Sequence, residues 1–155
     1  MDKLKKLEKK LDYYKDRDGY FTDYGIGVSE DVIEDAEDIL EFKLPKSYKW
    51  FLKKYGTGAI LGEQILGVRE EGYKDLGKVG NIEKTGDIVE NHLQNKGGKV
   101  FKDNEIEVYI GDEDSYYFDL NEDKEDLSVY SKFGGEKYAD DFIDFIDKRL
   151  SEEYQ

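Results

Sequence analysis

The acidic run Asp119-Leu120-Asn121-Glu122-Asp123-Lys124-Glu125 is where residue type and spacing come nearest to a chemical site. Asp119, Asn121 and Asp123 stand at positions 1, 3 and 5 of a calcium loop. Lys124, however, holds position 6, where the turn needs glycine, and Tyr130 holds position 12, where calcium needs a bidentate glutamate. The pattern therefore fails as a calcium loop. The one histidine, His92, falls a helical turn after Ile88 on the same apolar stripe, and no Gly-x-Ser-x-Gly elbow accompanies it; a packed imidazole is the better reading than a catalytic base. Gly56-Thr57-Gly58 and Gly97-Gly98 lack the Gly-Lys-Ser/Thr ending of a phosphate loop and the strand, glycine turn and helix order of a dinucleotide site. Paired carboxylates, as used in glycoside hydrolysis, are guaranteed somewhere among 38 acids, so their presence discriminates nothing. A catalytic acid also needs burial to raise its pKa, and these acids fall mostly on exposed faces and turns. No cofactor, metal or enzymatic activity is expected, and a carboxylate-dependent hydrolase is the weakest reading kept.

Composition bounds the rest. The 155 residues suit a single domain, and 8 Phe, 13 Tyr and one Trp supply core material that a disordered acidic chain would lack. There are no cysteines, which removes disulfides, thiol chemistry and cysteine-based metal sites. The charged N-terminus Met1-Asp2-Lys3-Leu4-Lys5-Lys6-Leu7 has no apolar core, and no run approaches 18 apolar residues, so neither export by that route nor a membrane span is expected and a cytoplasmic protein is. The formal net charge is -14, and its placement matters more than its size. Residues 29–41 sum to -7 and residues 103–126 to -10, on either side of a middle that sums to +5. Such a field opposes nucleic acid and favours a basic protein partner, with faster encounter that salt would weaken.

The elements that must position these groups follow from periodicity. Leu4, Leu7, Leu11 and Tyr14 lie at helical spacing over residues 2–16, and Asp16 to Gly27 reads as a loop pinned by Tyr20, Phe21 and Tyr24. Ser29 caps a second helix that buries Val32, Ile33, Ala36, Ile39 and Leu40 and turns its acids to water. The sharpest element runs from Leu44 to Gly58. Pro45 suits a first helical position, Gly56 suits a left-handed end, and Tyr48, Phe51, Leu52 and Tyr55 make one apolar face against Lys46, Lys49, Lys53 and Lys54.

Beyond Gly58 the runs Ala59-Ile60-Leu61 and Gln64 to Val68 read as strands, residues 69–84 as a glycine-rich loop, and Gly86 to Asn95 as a helix with Ile88, Val89 and Leu93 inward, ended by Lys96-Gly97-Gly98-Lys99. Glu105 to Ile110 alternates strictly, Ser115 to Leu120 is aromatic-rich, and Leu127 to Ser131 alternates again, which predicts an antiparallel meander. Tyr138, Ala139, Phe142, Ile143, Phe145, Ile146 and Leu150 outline a closing helix. The fold class is α+β: a small antiparallel sheet flanked by about four helices, in one domain over 1–155.

The acidic helix from Ser29, the Leu-Pro-x-x-Tyr-x-x-Phe-Leu run and the aromatic-Gly-x-Gly end resemble the signature of the SUKH superfamily, the bacterial toxin-immunity proteins that also include fungal cell-wall-synthesis regulators. Gln64 to Val68 looks like its first core strand, Ile88-Val89-Glu90-Asn91 like its internal helix, Phe118-Asp119-Leu120 like a strand end, and Phe142 to Ile146 like its closing helix. The likeness spans a core at residues 28–148 and leaves residues 1–27 as an N-terminal helix and aromatic loop. Tyr55-Gly56 departs from the Asn-Gly that the family often shows there, and residues 69–84 match nothing in it. The resemblance implies a non-enzymatic immunity protein that neutralises a cognate secreted toxin, commonly a nuclease with a basic surface and an RNase before a DNase; the alternative it implies is an intracellular scaffold or regulator.

Tyrosine gives rigid contact area and carboxylates can pair with the Lys or Arg that would hold phosphates. The expected partner-binding residues are therefore those of the -10 block: Asp112, Glu113, Asp114, Tyr116, Tyr117, Glu122, Asp123, Glu125 and Asp126. If Tyr116 and Tyr117 lie in a strand, at most one of them faces the core.

Overall fold

Alternating and helical runs condense into five helices and seven strands among the residues described by the computed structural model, which are 2–15, 17, 19–22, 27–68, 73, 86–95, 97 and 99–153. In chain order these are α1 (Lys3–Tyr14), β1 (Phe21–Thr22), α2 (Glu30–Leu40), α3 (Lys46–Tyr55), β2 (Gly58–Ile60), β3 (Glu63–Ile65), α4 (Ile88–Asn95), β4 (Glu105–Ile110), β5 (Ser115–Asp119), β6 (Val129–Ser131), β7 (Lys137–Ala139) and α5 (Phe142–Glu153). The strands pair in that same order, each antiparallel to the next, to make one seven-stranded sheet. The α+β class holds, with a larger sheet and one more helix than expected.

Local signals set most of the boundaries. Asp2 caps α1 by accepting the Lys5 amide at 3.0 Å, and Ser29 caps α2 through the Val32 amide at 3.4 Å. Pro45 takes the capping position itself, one residue before the first helical one, and Gly56 closes α3 at φ 76°. The lysines on the back of α3 meet acids of the neighbouring helices: Lys53 pairs with Glu30 at 2.5 Å, Lys49 with Glu37 at 3.3 Å, and Lys54 with Glu8. Glu37 breaks the rule that the acids of α2 face water, because it is buried and accepts the Leu44 amide at 2.7 Å. Beside the end of α3 the backbone packs at the limit of contact. A Cβ on Gly27 would sit 1.8 Å from the Lys53 carbonyl oxygen, and one on Gly67 would sit 2.0 Å from that of Gly56, so only glycine permits either approach.

Three predicted features change. Phe21 and Thr22, within the predicted loop, form an edge strand on β2, with Phe21 buried against Tyr55. Tyr138 and Ala139, assigned to the closing helix by their apolar spacing, pair as β7 with β6; Asp141 then starts α5 by accepting the Asp144 amide at 2.8 Å. The alternation of β4 is broken by a bulge between Glu107 and Tyr109, which sets Tyr109 opposite Tyr116 and leaves Ile110 40% exposed. His92 is buried beside Ile88 and Val89 on α4. The loop predicted over 69–84, apart from Tyr73, lies outside the described residues, as do Tyr24, Gly25, Ile26, Lys96 and Gly98.

The core joins the sheet to α3 and α5. Tyr48 and Phe51 of α3 meet Phe142 of α5 edge-on at 5.0 and 5.5 Å, and Tyr48 reaches Phe118 of β5 at 5.5 Å. All four rings are fully buried. Phe51→Ala is expected to lower the unfolding free energy by about 3–5 kcal/mol through the cavity it leaves; urea denaturation measures it, and a loss below about 1 kcal/mol would contradict this role for α3.

Candidate functional site

In a meander, alternate turns must fall at the same end of the sheet. The pairing Ile60↔Glu63 joins β2 to β3 through Leu61 and Gly62, residues 111–114 join β4 to β5, and residues 132–136 join β6 to β7, so these three turns share one end. Asp112, Glu113 and Asp114 are there. The connection from β5 to β6, with Glu122, Asp123, Glu125 and Asp126, is at the opposite end. The structure thus splits the -10 block in two, with β5 between. Tyr116 and Tyr117 divide as alternation requires. Tyr116 is buried against Phe145 of α5 at 5.1 Å, whereas Tyr117 is half-buried on the other face, stacked on Tyr130 at 5.7 Å.

At the far end the acids hold the fold together. Asp126 accepts the Ser47 amide at 3.1 Å and the Ser47 hydroxyl at 2.8 Å, so it caps α3 from a distant loop where Pro45 offers no side-chain cap. The Ser47 oxygen in turn accepts the Phe142 amide at 3.0 Å and fixes the start of α5. Glu122 accepts the Ser128 amide at 2.7 Å and the Tyr130 hydroxyl. Burial pushes its carboxyl up, but these bonds outweigh burial and hold it below the usual range, while the same contact, with burial, raises Tyr130 to about 12. Asp123 and Glu125 are exposed.

The three-turn end contains a cavity of about 600 Å³, lined by Glu63, residues 111–114, Tyr116, Phe133, Gly134 and Arg149. Its floor is a buried ion pair between residues 86 positions apart, a match that no local periodicity reveals. Arg149 donates to Glu63 at 2.5 Å and to the Tyr116 hydroxyl at 3.2 Å, and its guanidinium carbon lies 5.3 Å from the ring centres of both Tyr109 and Tyr116. The Tyr109 hydroxyl donates to Glu63 at 2.6 Å and the Asp112 amide does so at 2.8 Å. Burial alone would raise the Glu63 carboxyl. The bonds from Tyr109, the Asp112 amide and Arg149 reverse that and hold it below its ordinary value.

The rim is acidic and carries an exposed ring. Asp114 accepts the Ser115 and Phe133 amides, each at 2.8 Å, together with the Ser131 hydroxyl. It therefore ties the β4–β5 turn to the β6–β7 turn and sets where Phe133 stands. Burial raises the Asp114 carboxyl, but these donors more than offset it and leave the pKa lowered. Phe133 is 69% exposed. Asp112 and Glu113 project into solvent, and among the described residues no Lys or Arg pairs with them or with Asp114. Phe133 was missed in the sequence because a lone aromatic between Lys132 and Gly134 has no periodicity; only the pairing of β6 with β7 identifies it as a turn tip.

This architecture, a Leu-Pro helix packed under an antiparallel meander, is that of a SUKH superfamily domain. Within that superfamily the chain belongs to the SMI1/KNR4 family (SUKH-1), whose model matches residues 27–148. The family includes immunity proteins as well as the SMI1/KNR4 regulators, and its immunity members imply a protein partner in general. No helix among the described residues is long and apolar enough to cross a membrane.

Three variants test these assignments. Asp126→Ala is expected to cost about 1–2 kcal/mol of stability, as loss of a helix cap does, and thermal unfolding that left stability unchanged would return Asp126 to the candidate binding residues. Arg149→Met strands the Glu63 carboxylate and is expected to cost about 3–5 kcal/mol. The pH dependence has a defined sign. Because the folded pKa of Glu63 is depressed, its contribution is complete above the unfolded value of 4.5 and is lost as pH falls through the folded value. Denaturation of wild type and Glu63→Gln should therefore differ most near neutral pH and converge in acid; a gap that widened in acid would contradict the arrangement.

Proposed function

We propose that the chain is a non-enzymatic immunity protein that neutralises a cognate secreted toxin by covering a basic surface on it, and that the toxin is a nuclease, an RNase ahead of a DNase. The observation that carries this reading is the rim of Asp112, Glu113 and Asp114 beside exposed Phe133, without a basic side chain to satisfy it from within the described residues. A nuclease must hold phosphates with Lys or Arg, and a surface with complementary charge and a rigid ring can occupy such groups. Membership of a family that includes immunity proteins supports the reading. The family also includes regulators, so the second reading is a non-enzymatic intracellular regulator. A large toxin gene beside this one favours immunity, and its absence favours regulation.

The test is co-expression with the toxin encoded beside the gene, scoring survival and co-purification. Rescue with a stable complex is expected, and neither would sink the reading. In the complex, Asp112→Lys with Glu113→Lys is expected to slow association by about tenfold or more at low salt and progressively less as salt is added. An on-rate unchanged at low salt would reject this rim as the steering surface.

A further inference from the structure

The pocket has a chemistry more specific than a general acidic surface. Its floor is electrically closed, since Glu63 and Arg149 are both buried and paired to each other at 2.5 Å. What remains is the rim, where three carboxylates stand over the cavity with no basic side chain among the described residues to meet them. Two rings line the pocket: Tyr116, buried against Arg149, and Phe133, which stays exposed. Lys132 is drawn away to the other face of the sheet, where it pairs with Glu105 at 2.7 Å and lies over the rings of Phe101 and Tyr117. The nearest cation in sequence is therefore held out of the pocket.

Apolar groups border the same end. Leu61 and Ile110 are 37% and 40% exposed, and with Phe133 they are three of the five exposed large hydrophobics among the described residues. Leu61 sits at φ 48° in a two-residue turn that favours Asn, Asp or Gly, so the chain keeps a bulky, water-facing side chain where both backbone and solvent oppose it. Six strands at roughly 4.8 Å spacing make this end a strip about 24 Å across, the width of a modest protein interface.

We infer that this pocket admits one arginine side chain of a partner protein, its guanidinium between Phe133 and the Asp112 and Glu113 carboxylates, with Leu61 and Ile110 beside it as apolar contacts. Carboxylates supply bidentate acceptors for the planar fork, and the exposed Phe133 ring can take one of its faces, a combination that suits arginine better than lysine. The inference rests on reading the chain as a protein-binding member of its family, and it narrows the contact surface to one end of the sheet.

The experiment needs no known partner. Amide chemical shifts of the full chain are followed on titration with N-acetylarginine amide and, separately, with N-acetylcitrulline amide, which keeps the shape and loses the charge. Shifts are expected at residues 111–114, 116 and 133–134, with at least tenfold weaker binding of the citrulline compound, and Phe133→Ser should abolish them while leaving the rest of the spectrum in place. Equal response to both compounds, shifts confined to residues 120–128, or no shift at all would overturn the inference. With the neighbouring toxin the two proposals separate. A complex that forms equally well with Phe133→Ser and Glu113→Gln overturns this pocket and leaves immunity standing, whereas arginine binding at the pocket without toxin binding or rescue supports the pocket and sinks immunity.

Discussion

Tyr48 is the residue on which the arrangement turns. Its ring is wholly buried against Phe118 and Phe142, so its hydroxyl cannot reach water and must find an acceptor inside; the Leu66 carbonyl, 2.7 Å away, provides one. A buried hydroxyl without a partner costs on the order of 1–3 kcal/mol, which makes this contact a condition on the register of α3 rather than an ornament of it. The preceding residue adds a second condition, because Ser47 bonds both Asp126 and the Phe142 amide. Two consecutive side chains thus fix α3 against the chain beyond β3, against β5 and its following loop, and against the first turn of α5.

With one end of the sheet locked to α3 by Asp126, the turns at the other end have no helix cap to serve and can be shaped for something else. They are nevertheless held in place. Asp114 joins two turns through Ser131 and Phe133, and Glu63 holds the Asp112 amide while it pairs with Arg149. The acids at this end therefore have two functions: Asp114 and Glu63 fix the backbone, and Asp112 and Glu113 are left facing outward on a backbone that cannot easily give way. Such preorganisation lowers the ordering cost of association.

Much of the fold was legible because helical and strand periodicities were strong. The Leu44 to Gly58 motif, the cap at Ser29 and the bounds of β4 all emerged from residue spacing, and the same residues pointed to the family. Features that depend on pairing between distant segments were not legible. Tyr138 and Ala139 fit a helical stripe by spacing, and only their match to β6 makes them a strand. Val108 continues a perfect alternation, and only the bulge opposite Tyr117 and Tyr116 displaces it. For the candidate site, the sequence located the acids but treated 24 contiguous residues as one patch, although a strand five residues long carries its two ends to opposite sides of the sheet. Arg149 and Glu63 were invisible for the same reason.

The division of the acidic block also separates two electrostatic effects that net charge merges. Hydrogen bonds from neutral donors satisfy Asp126, Glu122 and Asp114 without cancelling their charge, and of the block's acids Glu105 meets a lysine, Lys132, at contact distance. At a distance of a Debye length, about 8–10 Å, the whole block still acts as a source of negative potential and draws a basic partner in. At contact the count is different, since a carboxylate whose lone pairs are already taken by amides and hydroxyls offers little to a guanidinium. Attraction thus extends over both ends of β5, while close pairing is concentrated at Asp112 and Glu113. A partner steered by the full field would be retained mainly where exposed carboxylates, Phe133 and a cavity coincide, and that coincidence is produced by sheet topology rather than by composition.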